Sequence, residues 1–393
     1  MKNQMNRVMR SNIQVWALVL SIVLLAPNGN FAFAGPRGGV HQAPEPASDG
    51  PFTVIAGGLS NPRDILLKND KARTIYVLEA GVGGAGPCVP SFNGDFDDCY
   101  GATASIARIV NGKLDRPITG LPSLAGPNGD SAIGPSHAVL HGNSLFVSFG
   151  NAGDSERRAV ISQADWRFGQ ILRIPLVPRA PSHAVADLSA FEDKRNPDGE
   201  EGLETNPSGL AFGPAHSLYA VDAAGNSVLR VRPNRRVSLR YVFPTRDFPA
   251  PPFLGLPPGS TLPVQSVPTV IIEGPDRAHY VAEFTGFPYP KGAARVFRFG
   301  RTGEPTVYAD GFTNIIDIAF GPDGSLYVLE MATNGLASQD TTGAVIRVAP
   351  DGTRTILASQ GLVHPTAIAV DRYGEVYVIN HGISAHEAEL IRL

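Results

Sequence analysis

The feature that most constrains this chain is that it repeats itself. The segments TVIAGGLSNPRDIL from Thr53, VYADGFTNIIDIAF from Val307 and ILASQGLVHPTAIAV from Ile356 share one layout: a β-rich run, a glycine, an apolar residue, a turn and a second apolar run. Such blocks pass through hairpin turns of the GPDGS or DRYGE kind and close on an aromatic residue and its apolar neighbours, then an acid or amide, as in IYVLEA, LYAVDA, HYVAEF, LYVLEM and VYVINH. Aligning the turns puts Pro62, Pro135, Pro207, Pro268, Ile315 and Pro365 in register, at spacings of 73, 72, 61, 47 and 50 residues, which makes six units.

Each unit continues into a third run such as VLRVRP or RVFRFG and a fourth such as RPITGL or TVYADG. Four short antiparallel strands per unit, repeated six times, predict an all-β fold: a six-bladed β-propeller. The 43 Gly and 34 Pro suit many short elements joined by turns. The surplus length in the first three spacings is expected in loops. The ends agree with a closed ring. The sixth unit stops at its third strand, ELIRL, while FTVIAGGL from Phe52 is a fourth strand lacking a unit, so the N-terminal strand is expected to complete the last blade and leave no open edge. Residues 51–393 then form a single propeller domain.

Ahead of it, Lys2, Arg7 and Arg10 precede the apolar run VWALVLSIVLLA, and Ala32-Phe33-Ala34 offers small residues for a peptidase, so residues 1–34 read as a signal peptide and 35–50 as a flexible leader. The chain is therefore expected to be exported, to the periplasm or beyond the cell, with no stable membrane anchor after cleavage. Without residues 1–34, which hold three of the 33 basic residues and none of the 36 acidic ones, 30 basic residues face 36 acidic, a balance that argues against a nucleic-acid partner. Cys88 and Cys99, the only cysteines, lie close together in a Gly/Pro/Asp-rich stretch and are expected to form a local disulfide in an oxidising compartment.

The stretches CYGATASIARI, GLPSLAGPNGDSAIGPSHAV, NPSGLAFGP, VPTVIIEGPDRAHYVAEFTGFPYPKGAARVFRF and GFTNIIDIAFGPDGSLYVLE resemble the ScyD/ScyE family, exported NHL-like propellers named for scytonemin-biosynthesis clusters. The resemblance runs from about residue 52 to the end and implies an exported six-bladed propeller. It brings no catalytic motif with it.

Chemistry is sparse. The positions just after the six anchors are Arg63, Ser136, Ser208, Thr269, Ile316 and Thr366, a set without the carboxylates a hard cation needs at a channel mouth, so no metal and no cofactor is expected there. One position further on, Asp64, His137 and Asp317 are the candidate catalytic cluster, with hydrogen bonding between inner strands as their structural alternative. A second ring, Glu79, Phe149, Asp222, Glu283, Glu330 and Asn380, lies at the end of the second strand, and the carboxylates that recur in four units suit tying off each blade. GVGGAG at 81–86 is followed by Pro87 and Cys88 and not by a helix, so it is no dinucleotide loop, and NGDFDD at 93–98 lacks calcium-loop spacing. His381, His386 and Glu387 read as loop residues.

The loop EFTGFPYPKG offers Glu283, Phe284, Phe287, Tyr289 and Lys291 as a ligand platform, unless its aromatics fold underneath it. The reading is a binding or scaffold module for a small aromatic or amphipathic ligand or a protein partner. The rivals are a propeller enzyme, either a divergent hydrolase or lactonase or a quinone-dependent oxidoreductase, and a purely structural interaction protein.

Overall fold

Six four-stranded antiparallel sheets stand around a common channel, each contributing its first strand to the channel wall. The computed structural model describes residues 52–68, 73–91, 96–150, 153–177, 180–200 and 202–393; the signal segment and the leader lie outside the described residues. The innermost strands are Pro62–Leu67, Pro135–His141, Pro207–Phe212, Pro268–Glu273, Ile315–Phe320 and Ala367–Val370. Each pairs with a second strand ending in the recurrent acid or amide, or in Phe149 in the second blade.

Proline suits the first residue of an inner strand because no ladder hydrogen bond is asked of it there. In five blades the ladder then slips by one residue between the anchor and the second residue beyond it, as between Pro62 and Asp64 or Ile315 and Asp317. Such a bulge turns two neighbouring side chains away from the regular alternation. Apolar cores fill the wedges between neighbouring blades: Leu66, Leu78, Ile106, Val147 and Leu172 between blades one and two, for example, and Ile318, Val328, Val296 and Tyr280 between four and five.

The ring closes as the sequence predicts. Thr53–Leu59 is the outer strand of blade six, pairing antiparallel with Ala388–Arg392, with Thr53 opposite Arg392. The surplus of the first three units is in part ordered structure and not simply loop. In blade one the third and fourth strands, Asp97–Val110 and Lys113–Ala125, overrun the blade as an arm, joined by Cys88–Pro90 and stapled by the Cys88–Cys99 disulfide. In the second unit, α1 (Ser155–Ala164) is capped by Asp154 and α2 (Leu188–Arg195) by Asp187, each carboxylate accepting from the backbone N–H three residues on, a local signal hidden among strands. Between blades three and four, Arg246–Pro249 and Thr261–Val264 form a separate hairpin.

Leu59 is fully buried in the core shared by blades six and one. Leu59→Ala should cost about 2–5 kcal/mol, the range for a well-packed leucine. Chemical denaturation measures this; a loss below about 1 kcal/mol would mean that the closing strand is not anchored there.

Candidate functional site

Asp64, His137 and Asp317 all reach the central channel, a cavity of about 480 Å³ otherwise walled by residues such as Ile65, Val139, Leu210, Ile271 and Ala369. The bulge aims each at the next blade. Asp64 accepts from its neighbour Ile65 N–H and from Ala138 N–H of blade two, at 2.8 and 2.7 Å. His137 Nδ1 accepts from Leu210 N–H of blade three at 3.3 Å and lies 3.9 Å from Asp64. Asp317 repeats the pattern with Ile318 N–H and Ile368 N–H of blade six, both at 2.8 Å. Burial pushes both carboxyls above the usual range, and the charge of Asp64 pushes Asp317 further, while His137 and the two amide bonds oppose the rise at Asp64.

The residues one position earlier supply a second set of ties. Ser208, Thr269 and Thr366 donate their hydroxyls to the carbonyls of Pro268, Ile315 and Pro62, the anchors of the following blades, at 3.2, 3.1 and 2.7 Å, and Arg63 donates to Ala132 O at 2.7 Å. These bonds to neighbouring backbone tie each blade to the next, while Arg63 Nη1 is left without a partner among the described residues.

The second ring also ties backbone. Glu79, Asp222, Glu330 and Asn380 accept from the N–H groups of Ser60, Asn206, Thr313 and Val363, each just ahead of an inner strand, and Glu283 accepts from the Ser266 hydroxyl. Their charges are met differently. Arg116 grips both oxygens of Glu79, and Arg246 and Arg295 hold Glu283. Among the described residues no guanidinium is bonded to Glu330, and burial lifts its pKa to about 7 despite the Thr313 N–H.

The EFTGFPYPKG loop turns its aromatics inward. Phe284 is fully buried and Tyr289 nearly so, in the core with Ile316, Leu329 and Met331, and the Tyr289 hydroxyl finds no partner there. Phe287 is half-buried, edge-on to Tyr289 and to the exposed Phe253. Lys291 is exposed, with its Nζ 2.7 Å from Asn334 Oδ1. Of the five residues in that platform, only Phe287 and Lys291 therefore reach solvent to any extent. The GVGGAG glycines serve packing: a Cβ on Gly83 would lie 2.7 Å from Cys99 O, one on Gly81 2.6 Å from Ala104 N, and Gly83 N–H donates to Ser123.

A pocket that sequence reasoning missed opens on the face carrying the connections from second to third strands, at the seam of blades six and one. It holds about 430 Å³ between the blade-one arm (Phe96, Pro127, Asp130) and the blade-six loops (Val363, His364, His381, Ile383, Glu387). Its walls are joined by Ser131 N–H to Ile383 O and Ala385 N–H to Asp130, at 2.9 and 2.8 Å. His364 occupies the residue before the anchor, where blades one and five have asparagines whose amides pin loop carbonyls: Asn61 those of Gly81 and Gly129, Asn314 that of Phe284. All three residues are left-handed, and in His364 the side chain makes no hydrogen bond among the described residues. Burial, and to a lesser degree His381, holds the His364 imidazole below its usual pKa. His364 departs from the asparagine found at this position in blades one, three and five, a difference visible in the sequence that marks no pocket by itself. Among the described residues no cluster of three or more His, Cys, Asp or Glu is arranged to hold a metal ion, and no helix is long and apolar enough to cross a membrane.

No family model and no curated protein matches the chain. Among solved structures it is similar to virginiamycin B lyase from Staphylococcus aureus (13% identity, 86% of this chain and 95% of that one, TM-score 0.44), to a gluconolactonase from Xanthomonas campestris (16%, 63% and 71%, 0.39) and to a glucose dehydrogenase (12%, 87% and 98%, 0.47).

Glu330 gives the site region a measurable signature. Its folded pKa lies above its unfolded value, so its contribution is complete below about pH 4.5 and is lost as pH rises toward 7, roughly 3 kcal/mol over that window. Denaturation midpoints followed from pH 4.5 to 7.5 should fall less steeply in Glu330→Gln, whose amide oxygen still accepts from Thr313; parallel slopes would exclude the effect.

Proposed function

We propose that this chain is an exported, ScyD/ScyE-like propeller that binds a small aromatic or amphipathic molecule in the pocket between the blade-one arm and blade six. One observation carries the reading: two imidazoles, His364 and His381, are set into a pocket whose other walls include Phe96, Pro127, Val363 and Ile383. An apolar concavity of several hundred Å³ with a few convergent polar groups is the usual form of a small-molecule site. The ring face of an aromatic ligand would lie on Phe96 and Ile383, and its polar edge would meet the imidazoles. Export fits the disulfide, which staples the arm that carries Phe96.

A second reading, an enzyme working in the same pocket, is favoured by the buried imidazole of His364 lying in one pocket with His381, a residue pair that could serve as general base and acid. Turnover of a lactone or ester substrate that His364→Ala abolishes would replace the binding reading.

The fluorescent aromatic sulfonate anilinonaphthalene sulfonate serves as a probe of the pocket. It should bind with one dominant site, and His364→Ala and Phe96→Ala should each weaken it about tenfold, the equivalent of about 1.4 kcal/mol. Lys291→Ala, on the EFTGFPYPKG loop, should leave binding unchanged. The reverse pattern would move the site to that loop.

A further inference from the structure

Away from both the channel and the pocket, α2 lies against the third blade and buries an acid against an acid. Glu192 on α2 is 1% exposed, and neither of its carboxyl oxygens has a hydrogen-bond partner among the described residues. Asp222, the end of the second strand of blade three, is fully buried; its Oδ1 accepts from Asn206 and Gly225 N–H while its Oδ2 has no partner. The two orphan oxygens flank one spot: a Cβ built on Gly225 would lie 3.0 Å from Glu192 Oε2 and 3.5 Å from Asp222 Oδ2. Gly225 leaves that spot open.

Three further buried hydroxyls nearby in the chain or ladder lack partners among the described residues. Ser189 is one helical turn before Glu192 on the same face, Ser227 is directly across the ladder from Asp222, and Thr205 precedes the residue whose N–H caps Asp222; the hydroxyl oxygens of all three are unsatisfied. Buried oxygens in such number without donors are rare in folded chains and ask for a bound ion or water. The charge of Arg158 opposes the rise at Glu192 only in part, since its guanidinium donates to Asp193 and to the carbonyls of Gly153 and Leu203. Asp198, held by Asn226, adds a further negative charge nearby. At the equivalent repeat position, arginines compensate Glu79 and Glu283, whereas Asp222 has none.

We infer that Glu192 and Asp222 are carboxylate ligands of a buried Ca²⁺ site between α2 and blade three, completed by neutral oxygens of these nearby hydroxyls and by water. Every donor is a hard oxygen, with no imidazole or thiolate among them, and the set is irregular, which suits Ca²⁺ better than the strict octahedron of Mg²⁺. Two carboxylates with neutral oxygens are fewer acids than a three-carboxylate cluster, in keeping with the absence of any such cluster among the described residues. The ion would fasten α2 to the blade, a structural role distinct from the ligand pocket. Without the ion, burial and then the charges of Asp222 and Asp198 push Glu192 up to about 9 against the pull of Arg158.

Full-length chain freed of metal by a chelator is titrated with Ca²⁺ by calorimetry and melted with and without it. One Ca²⁺ per chain and a higher melting temperature with the ion are expected. Glu192→Gln should melt like the metal-free wild type, because its amide replaces a neutral acid whose oxygens hold nothing, but bind Ca²⁺ at least about tenfold more weakly and lose the melting shift. Asp222→Asn should do the same, and if loss of its backbone ties unfolds it, Gly225→Ala, which fills the spot with a methyl group, takes its place. No heat and no shift in the wild type, or wild-type Ca²⁺ binding by Glu192→Gln, overturns the site.

Discussion

The grip of each innermost strand on the next is what the rest of the molecule depends on. Six wedges of apolar side chains would hold blades side by side at many angles; hydrogen bonds between adjacent inner strands fix one. Just after the anchor, where five of the blades bulge, side chains meet the neighbouring backbone, through hydroxyls on carbonyls in three blades and through Asp64, His137 and Asp317 on amides in three. Where blade three meets blade four, Gly209 permits an approach so close that a Cβ there would lie 2.7 Å from Val270 Cα. Because these groups are buried, deleting one leaves a backbone partner unsatisfied at a cost of about 1–3 kcal/mol.

Much of this was legible in the residues. Repeat register placed Asp64, His137 and Asp317 on one ring and Glu79, Asp222, Glu283 and Glu330 on another, because a side chain's place in a propeller follows from its phase in the unit. Which partner each takes was not legible, since it depends on a bulge that no residue type announces. The aromatic loop shows the same limit: Phe284 directly follows a fully buried strand, and nothing in EFTGFPYPKG states which side of the loop its rings occupy. The pocket was beyond reach for a different reason. Phe96, Asp130, His364 and His381 come from opposite ends of the chain and meet only because the ring closes between blades six and one. The helices were concealed by the assumption that extra length in an all-β repeat is loop.

One repeat position also shows how a fold keeps a useful residue and solves its cost differently in each copy. A carboxylate at the end of the second strand ties down the entry to the inner strand. In blades one and four an arginine from within the same unit or the adjoining hairpin neutralises it. In blade five a raised pKa leaves a proton on the acid over much of the acidic range. Blade six uses an amide, Asn380, and needs no counter-charge at all.

The pairing of Thr53–Leu59 with Ala388–Arg392 has a consequence for how the ring comes into being. These partners are among the most distant in sequence that the chain brings together, so blade six cannot be finished until almost the whole polypeptide has been ordered between them. Contacts of such long range form late and slowly. Until then the first strand to be made is a β-edge without a mate, and five assembled blades form an open arc whose last wedge of apolar surface faces water.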